Sequence, residues 1–141
     1  MIKVNADEMN VFLDEVFPQI VGDFFVERID VDGVTLKLNI QEKHLRPGGT
    51  VSGPTMFALA DVAAYVATMS FIGKEALCVT TNCSLDFMRK PEAGKNLVAE
   101  AEVLKLGKTL SITDIRIYSE GMAEPVARST MTYAIPPKRQ R

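Results

Sequence analysis

Across the twenty-seven positions from Pro47 to Gly73 only one side chain is charged, Asp61, and it stands in the most apolar stretch of the sequence. A carboxylate carried into such surroundings loses its hydration unless a polar group meets it. Its presence therefore points to acid–base or nucleophilic chemistry, to a structural ion pair, or to one wet edge on an otherwise buried helix. Just upstream, Gly48, Gly49 and Gly53 let backbone come close to a ligand, and Pro54 suits the first helical position, which leaves Gly53 near the N-cap. The open N–H groups of a helix start polarise a carbonyl oxygen, as an oxyanion hole does, although a plain tight turn would use the same glycines. Spacing joins the two features, because Asp61 follows Gly53 by about two turns of one helix.

Other residues narrow the chemistry. His44 is the only histidine, and the two cysteines, Cys78 and Cys83, stand apart from it, so no metal-ligand spacing exists and no metal is expected. Ser52, His44 and Asp61 are the residue types of a catalytic triad but lack a Gly-x-Ser-x-Gly elbow. No glycine-rich loop has the spacing that binds phosphates or dinucleotides between a strand and a helix. In the strand read over 77–88, strict alternation puts Thr80, Asn82, Ser84 and Asp86 on one face with Cys78 and Met88. That face either meets solvent or holds a water against a carbonyl group. Arg89, Lys90 and Lys108 fall at strand ends, where bases are ordinary edge decoration and gain meaning only with a phosphate-bearing ligand.

The elements that must carry these groups follow from periodicity. Met9, Phe12, Leu13, Val16 and Phe17 form one helical stripe over about residues 6–17, stopped by Pro18. Strands over 21–31 and 34–40 flank Asp32-Gly33, a strong hairpin signal. A turn-rich stretch from His44 to Pro54 leads into a helix over 54–72 that is apolar almost all round and ends at Gly73. Strands then follow over 77–88, 97–106, 110–119 and 126–135, and four in a row predict a meander of sequential neighbours. An all-round apolar helix has to be enclosed. The prediction is an α+β fold: a curved antiparallel six-stranded sheet wrapped around one long central helix, with a short N-terminal helix. One domain is expected over 1–135, followed by a polar tail over 136–141. A membrane span is disfavoured, since a central Asp costs about 2.5 to 3.5 kcal/mol on insertion scales.

Composition sets the outer bounds. At 141 residues, with 47% hydrophobic and 24% charged, the chain has room for one core and needs no disulfide or metal staple. The net charge is −2, and three of the bases lie in the last four residues, so the rest is more acidic still and unsuited to nucleic acid. Cys78 and Cys83, five apart in a strand, are expected on opposite faces as reduced thiols. The first residues lack a secretory apolar core, which makes the cytoplasm the expected compartment.

The segment from Gly49 through Ser52-Gly53-Pro54 to Asp61 resembles the signature of PaaI-like (phenylacetyl-CoA-type) hotdog thioesterases. There a Gly-x-x-His-Gly-Gly loop opens the central helix and an acidic residue follows nine positions after the His. Asn82-Cys83-Ser84-Leu85-Asp86-Phe87-Met88-Arg89-Lys90-Pro91 and Gly107-Lys108-Thr109-Leu110 are similar to the same family, over about residues 20–135. Ser52 stands where the motif His is expected, Pro54 replaces the second Gly, and Arg46 or Pro47 falls where many members have Asn. The resemblance implies hydrolysis of an acyl-CoA or acyl-carrier thioester with no cofactor. Asp61 would be general base or nucleophile, the Gly53 N–H would polarise the carbonyl, and Thr80 of a partner copy would orient water. Ser52, Arg46, Asn82, Arg89 and Lys108 would bind substrate. It further implies a homodimer joined sheet edge to sheet edge, or a dimer of dimers. A hotdog dehydratase or hydratase using His44 with Asp61, seventeen residues apart, and a non-catalytic acyl-CoA binding protein are the alternatives.

Overall fold

The first helix, α1 (Ala6–Val16), starts at Asn5, whose side chain accepts from the Glu8 N–H at 2.8 Å while Glu8 accepts from the Asn5 N–H at 3.1 Å. This reciprocal cap, with Asp7 and Glu8 in the first turn, satisfies the positive end of the helix. Met9 and Leu13 point into the core, as the stripe requires, and Pro18 opens a 3₁₀ turn over Pro18–Ile20. The structure, a computed structural model, describes residues 1–138; Arg139, Gln140 and Arg141 of the expected tail lie outside the described residues.

Strands β1 (Phe24–Asp30) and β2 (Gly33–Leu38) pair antiparallel with Asp30 opposite Gly33. The turn is therefore Val31-Asp32, one residue earlier than the Asp32-Gly33 pair suggests. It is held by the Asp30 carboxylate, which accepts from the N–H groups of Asp32 and Gly33 at 2.8 and 3.2 Å. Gly33 serves space as well as conformation: its φ is +152°, and a Cβ there would lie 2.4 Å from the Ala101 carbonyl oxygen of the neighbouring strand.

The long helix α2 (Gly53–Ile72) ends at Gly73, as expected, and the strands that follow are β3 (Val79–Phe87), β4 (Leu97–Leu106), β5 (Leu110–Ser119) and β6 (Pro125–Ala134). All six form one antiparallel sheet in the order β1-β2-β4-β5-β6-β3. This is the expected hotdog arrangement. Small and branched side chains of the sheet, Ala99, Ala101, Ile115 and Ala127, are buried with Leu59, Ala63 and Val66 of α2, which packs against β2, β4, β5 and β6. Register shifts that leave an extra residue in β1, β3, β4 and β6 add local twist, which helps a flat sheet wrap a helix.

Two expectations change. The meander holds only for β4, β5 and β6; β3 leaves β4 and pairs with β6 at the far edge. The nine residues between β3 and β4 are too many for a tight hairpin and long enough to cross the sheet end. Within β3 the register shifts between Thr80 and Asn82, so Thr81 is an extra residue. Alternation restarts after it: Cys78 and Thr80, then Cys83 and Leu85, are the residues with reduced exposure, while Asn82, Ser84 and Asp86 are exposed. Cys78 and Cys83 thus lie on the same side, contrary to strict alternation, and both are thiols rather than a disulfide.

The two sheet edges differ. On β1 the Asn10 side chain of α1 donates to the Val26 carbonyl at 2.9 Å and accepts from the Val26 N–H at 2.8 Å, closing that edge. On β3 no element among the described residues pairs with the outer edge, and Leu77, just before the strand, and Val79 and Phe87 at its two ends are 59%, 56% and 55% exposed.

Candidate active site

The loop into α2 is a small hairpin. Leu45 pairs with Val51, and the turn between them uses Gly48 and Gly49 at φ of +99° and +80° with open space around each. These two glycines are turn residues, as the plainer sequence reading had it. Ser52 rather than Gly53 is the N-cap: its hydroxyl accepts from the Thr55 N–H at 3.3 Å and lies 2.8 Å from the Thr55 hydroxyl. Gly53 is then the first helical residue and Pro54 the second, one step later than Pro54 at the first position. The Met56 N–H is taken by the Ser52 carbonyl at 3.2 Å, and Pro54 has no N–H to offer. Among the described residues the Gly53 N–H meets no acceptor. The Phe87 ring lies over it, so that a Cβ on Gly53 would come within 3.3 Å of the ring edge.

A cavity of about 300 Å³ opens beside this helix start, lined by Arg46, Gly53, Met56, Phe87, Arg89 and Lys90 among others. Three bases therefore converge near an open N–H group. Arg89 is shared with Glu124 at 3.0 Å, whereas Arg46 and Lys90 have no carboxylate at ion-pair distance among the described residues.

A second cavity, of about 390 Å³, holds the carboxylate. It is lined by Asp61 and Tyr65 of α2, Thr80 of β3, Tyr133 of β6, Phe17, Cys78 and neighbours. Asp61 Oδ1 accepts two hydroxyls, Thr80 at 2.5 Å and Tyr133 at 2.8 Å. The two donors face each other across the β3–β6 ladder, and the bulge after Thr80 turns that hydroxyl toward α2. Tyr65, one helical turn beyond Asp61, stacks on Tyr133 with ring centroids 5.9 Å apart and donates to the Ala76 carbonyl at 2.8 Å. Burial pushes the Tyr65 phenol up to about 12, and burial together with the neighbouring Asp61 charge holds Tyr133 far above the ordinary phenol range. Both phenols stay protonated and serve as donors at neutral pH. Asp61 is thus neither ion-paired nor merely wet; it is a hydroxyl-clasped carboxylate at a cavity.

The structure places the remaining sequence candidates apart. Thr80 donates to Asp61 of its own chain. Ser52 caps a helix, and Asn82 faces outward because of the bulge. Lys108 sits at the exposed tip between β4 and β5, in neither cavity. His44 is not brought to Asp61. Its ring is buried at 8% exposure, Nδ1 accepts from the Gln41 N–H at 2.9 Å, and Nε2 lies 3.9 Å from Asp23. Sequence reasoning missed Tyr133 and Tyr65, since nothing local marks a tyrosine on a strand or helix face as a partner of Asp61. It also left Lys90 as decoration. Among the described residues no group of three or more His, Cys, Asp or Glu is placed to hold a metal.

Comparison with known proteins identifies the family. A family model described as the thioesterase superfamily matches residues 48–126, more than half the chain. Human acyl-coenzyme A thioesterase 13 is 25% identical over 118 residues, 82% of each chain. A crystal structure of a presumed thioesterase from a Silicibacter species is 57% identical with a TM-score of 0.91, covering 97% of this chain and 95% of that one. A mutant of the phenylacetic acid degradation protein PaaI from Thermus thermophilus is 25% identical with a TM-score of 0.72, covering 84% of this chain and 99% of that one.

Proposed function

Because the chain belongs to the thioesterase superfamily, we propose that it hydrolyses an acyl-CoA or acyl-carrier thioester at sites shared between two copies of itself. The observation that carries this reading is the separation of the two halves of the machinery. Gly53 and Asp61 are eight residues apart on one helix, hence about 12 Å. One thioester carbonyl cannot lie within about 3 Å of both an oxyanion donor and the reach of a carboxylate that far away.

A second copy resolves the separation. β3 is the bare edge, and antiparallel pairing of two β3 edges puts the Val79 end of one beside the Phe87 end of the other. Asp61 and Thr80 belong to the Val79 end, and Phe87 lies over Gly53. Each composite site then joins Asp61 and Thr80 of one copy to Gly53, Arg46, Arg89 and Lys90 of the other. The same pairing suits phosphate binding. Arg89 and Lys108 stand at opposite ends of β3, about 26 Å apart at 3.3 Å per residue, so one copy cannot bring both to one diphosphate.

In the reaction, water attacks the thioester carbonyl as Asp61 takes its proton, or the carboxylate attacks directly and the acyl anhydride is then hydrolysed. The Gly53 N–H holds the oxyanion, the C–S bond breaks, and the thiolate takes up a proton. Residues 1–135 act as the one catalytic unit.

Complementation tests this. Asp61→Asn removes the proton acceptor, and Gly53→Pro removes the N–H where proline suits a first helical turn and Ser52 at φ −75°, ψ 156° tolerates a following proline. Each variant alone should lose about 10² to 10³ in rate on thiol release from an acyl-CoA. Co-expressed in equal amounts they should recover roughly a quarter of wild-type activity, from the one intact site of each mixed dimer. No recovery by folded mixed dimers would place both groups in a single copy and overturn the shared site.

A further inference from the structure

The Asp61 carboxylate has two oxygens in unlike surroundings. Oδ1 accepts from Thr80 at 2.5 Å and from Tyr133 at 2.8 Å, whereas among the described residues no donor meets Oδ2. The Tyr133 hydroxyl also lies 3.1 Å from the Asp61 backbone carbonyl, so its one proton is offered to both oxygens of the same residue and fixes the side chain relative to the helix. Tyr133 is itself held: it is 4% exposed and its ring stacks on Tyr65, whose hydroxyl is anchored on the Ala76 carbonyl. Thr80 alone would leave the carboxylate free to turn about its last torsion, because one donor on one oxygen sets a distance and not an orientation.

We propose that Tyr133 is a positioning residue that, with Thr80, pins Oδ1 and so commits Oδ2 as the oxygen that works on the thioester or its attacking water. This rests on Asp61 being the catalytic carboxylate. Rigidly held first partners account for large rate effects from hydroxyls that never touch substrate, since misplacing a reacting oxygen by an ångström costs about a hundredfold. Within one chain the groups around Asp61 include Tyr65 from α2, Cys78 from the segment before β3, Thr80 from β3, Tyr133 from β6, and Phe17 and Gln19 following α1; none of the described lining residues is a cation, so within the chain it is hydroxyls that hold Oδ1.

The test uses thiol release from acetyl-, hexanoyl- and phenylacetyl-CoA by the wild-type protein and by Tyr133→Phe, Thr80→Val and Asp61→Asn. Tyr133→Phe keeps the ring and its stacking on Tyr65 and loses only the hydroxyl. With Asp61→Asn inactive, Tyr133→Phe should lower kcat about ten- to hundredfold through misplacement of the reacting oxygen, with KM within about twofold and a urea transition that shows the variant folded under assay conditions. Thr80→Val should lower kcat similarly, and the double variant by less than the product of the two, because both act on one oxygen. An unchanged kcat in folded Tyr133→Phe, while Asp61→Asn is inactive, overturns the positioning role and leaves the thioesterase reading standing. Activity retained by Asp61→Asn, or none from the wild-type protein on all three substrates, overturns both.

Discussion

His44 has the residue type of a catalytic base, yet its ring is engaged in folding. Its Nδ1 accepts from the Gln41 N–H, and its backbone carbonyl accepts the Ser52 N–H at 2.9 Å and the Thr55 hydroxyl at 3.2 Å, so the residue anchors the loop that opens α2. Burial lowers the His44 pKa below its ordinary 6.5, outweighing the pull of Asp23. Burial alone would raise Asp23, but hydrogen bonds from Lys43 and Gln41 hold its carboxyl below the usual 3.8. Both shifts act in one direction. Below pH 6.5 the unfolded chain takes up a proton on the histidine that the native chain declines, so stability falls as the pH drops; the Asp23 contribution is lost lower still, below pH 3.8. His44→Gln removes the first titration and should flatten the urea midpoint between pH 6.5 and the carboxylate range, leaving thioester hydrolysis near wild type at neutral pH. A slope unchanged by the substitution would assign the acid sensitivity elsewhere. Asp61, by contrast, is legible as chemistry from sequence because a lone charge among apolar neighbours needs a reason. Its two clasping hydroxyls are not legible, because a Thr on one strand and a Tyr fifty-three residues later carry no sign of facing each other.

At the level of elements, the helices and the first hairpin were readable because their signals are local: Pro18, Gly73, the Asp32-Gly33 pair, and the changes from a period near 3.6 to a period of two. What escaped was the single extra residue in β3. A bulge has no sequence mark here, and it reverses which of Thr80 and Asn82 share a face, so Asn82 was expected at the site and stands outside it. Gly33 was read as a turn residue and proves to be a packing residue. A methyl group there would meet the Ala101 carbonyl at 2.4 Å, and backbone held on both sides by ladders has little room to give. Gly33→Ala should therefore destabilise the protein by more than about 1 kcal/mol, because the methyl clash adds to the strain of a non-glycine residue at φ +152°, whereas a loss below about 1 kcal/mol would mean that the strand gives way to the methyl group. Chemical denaturation separates the two outcomes.

At the level of the whole molecule, one sheet edge is closed by Asn10 and the other is left with exposed Leu77, Val79 and Phe87. An apolar open edge is a surface for another chain, and the gap of about 12 Å between Gly53 and Asp61 gives a functional reason for that chain to be a second copy. Sedimentation equilibrium at micromolar concentration should show two or four times 15.5 kDa, and a stable species of 15.5 kDa would remove the shared site. The sequence by itself determined the fold class, the central helix with Asp61 on it, and the glycine at that helix start, because apolar periodicity, a lone carboxylate and turn residues are properties of neighbours along the chain. Only the tertiary structure decided that β3 lies beside β6 rather than β4, that Thr80 and Tyr133 meet on one carboxylate oxygen, that Ser52 caps α2 while His44 anchors the loop before it, and that the bases gather at the helix start. Those outcomes depend on strand order and on one inserted residue, which are settled by how the whole sheet closes around α2 and by no interaction between residues near in sequence.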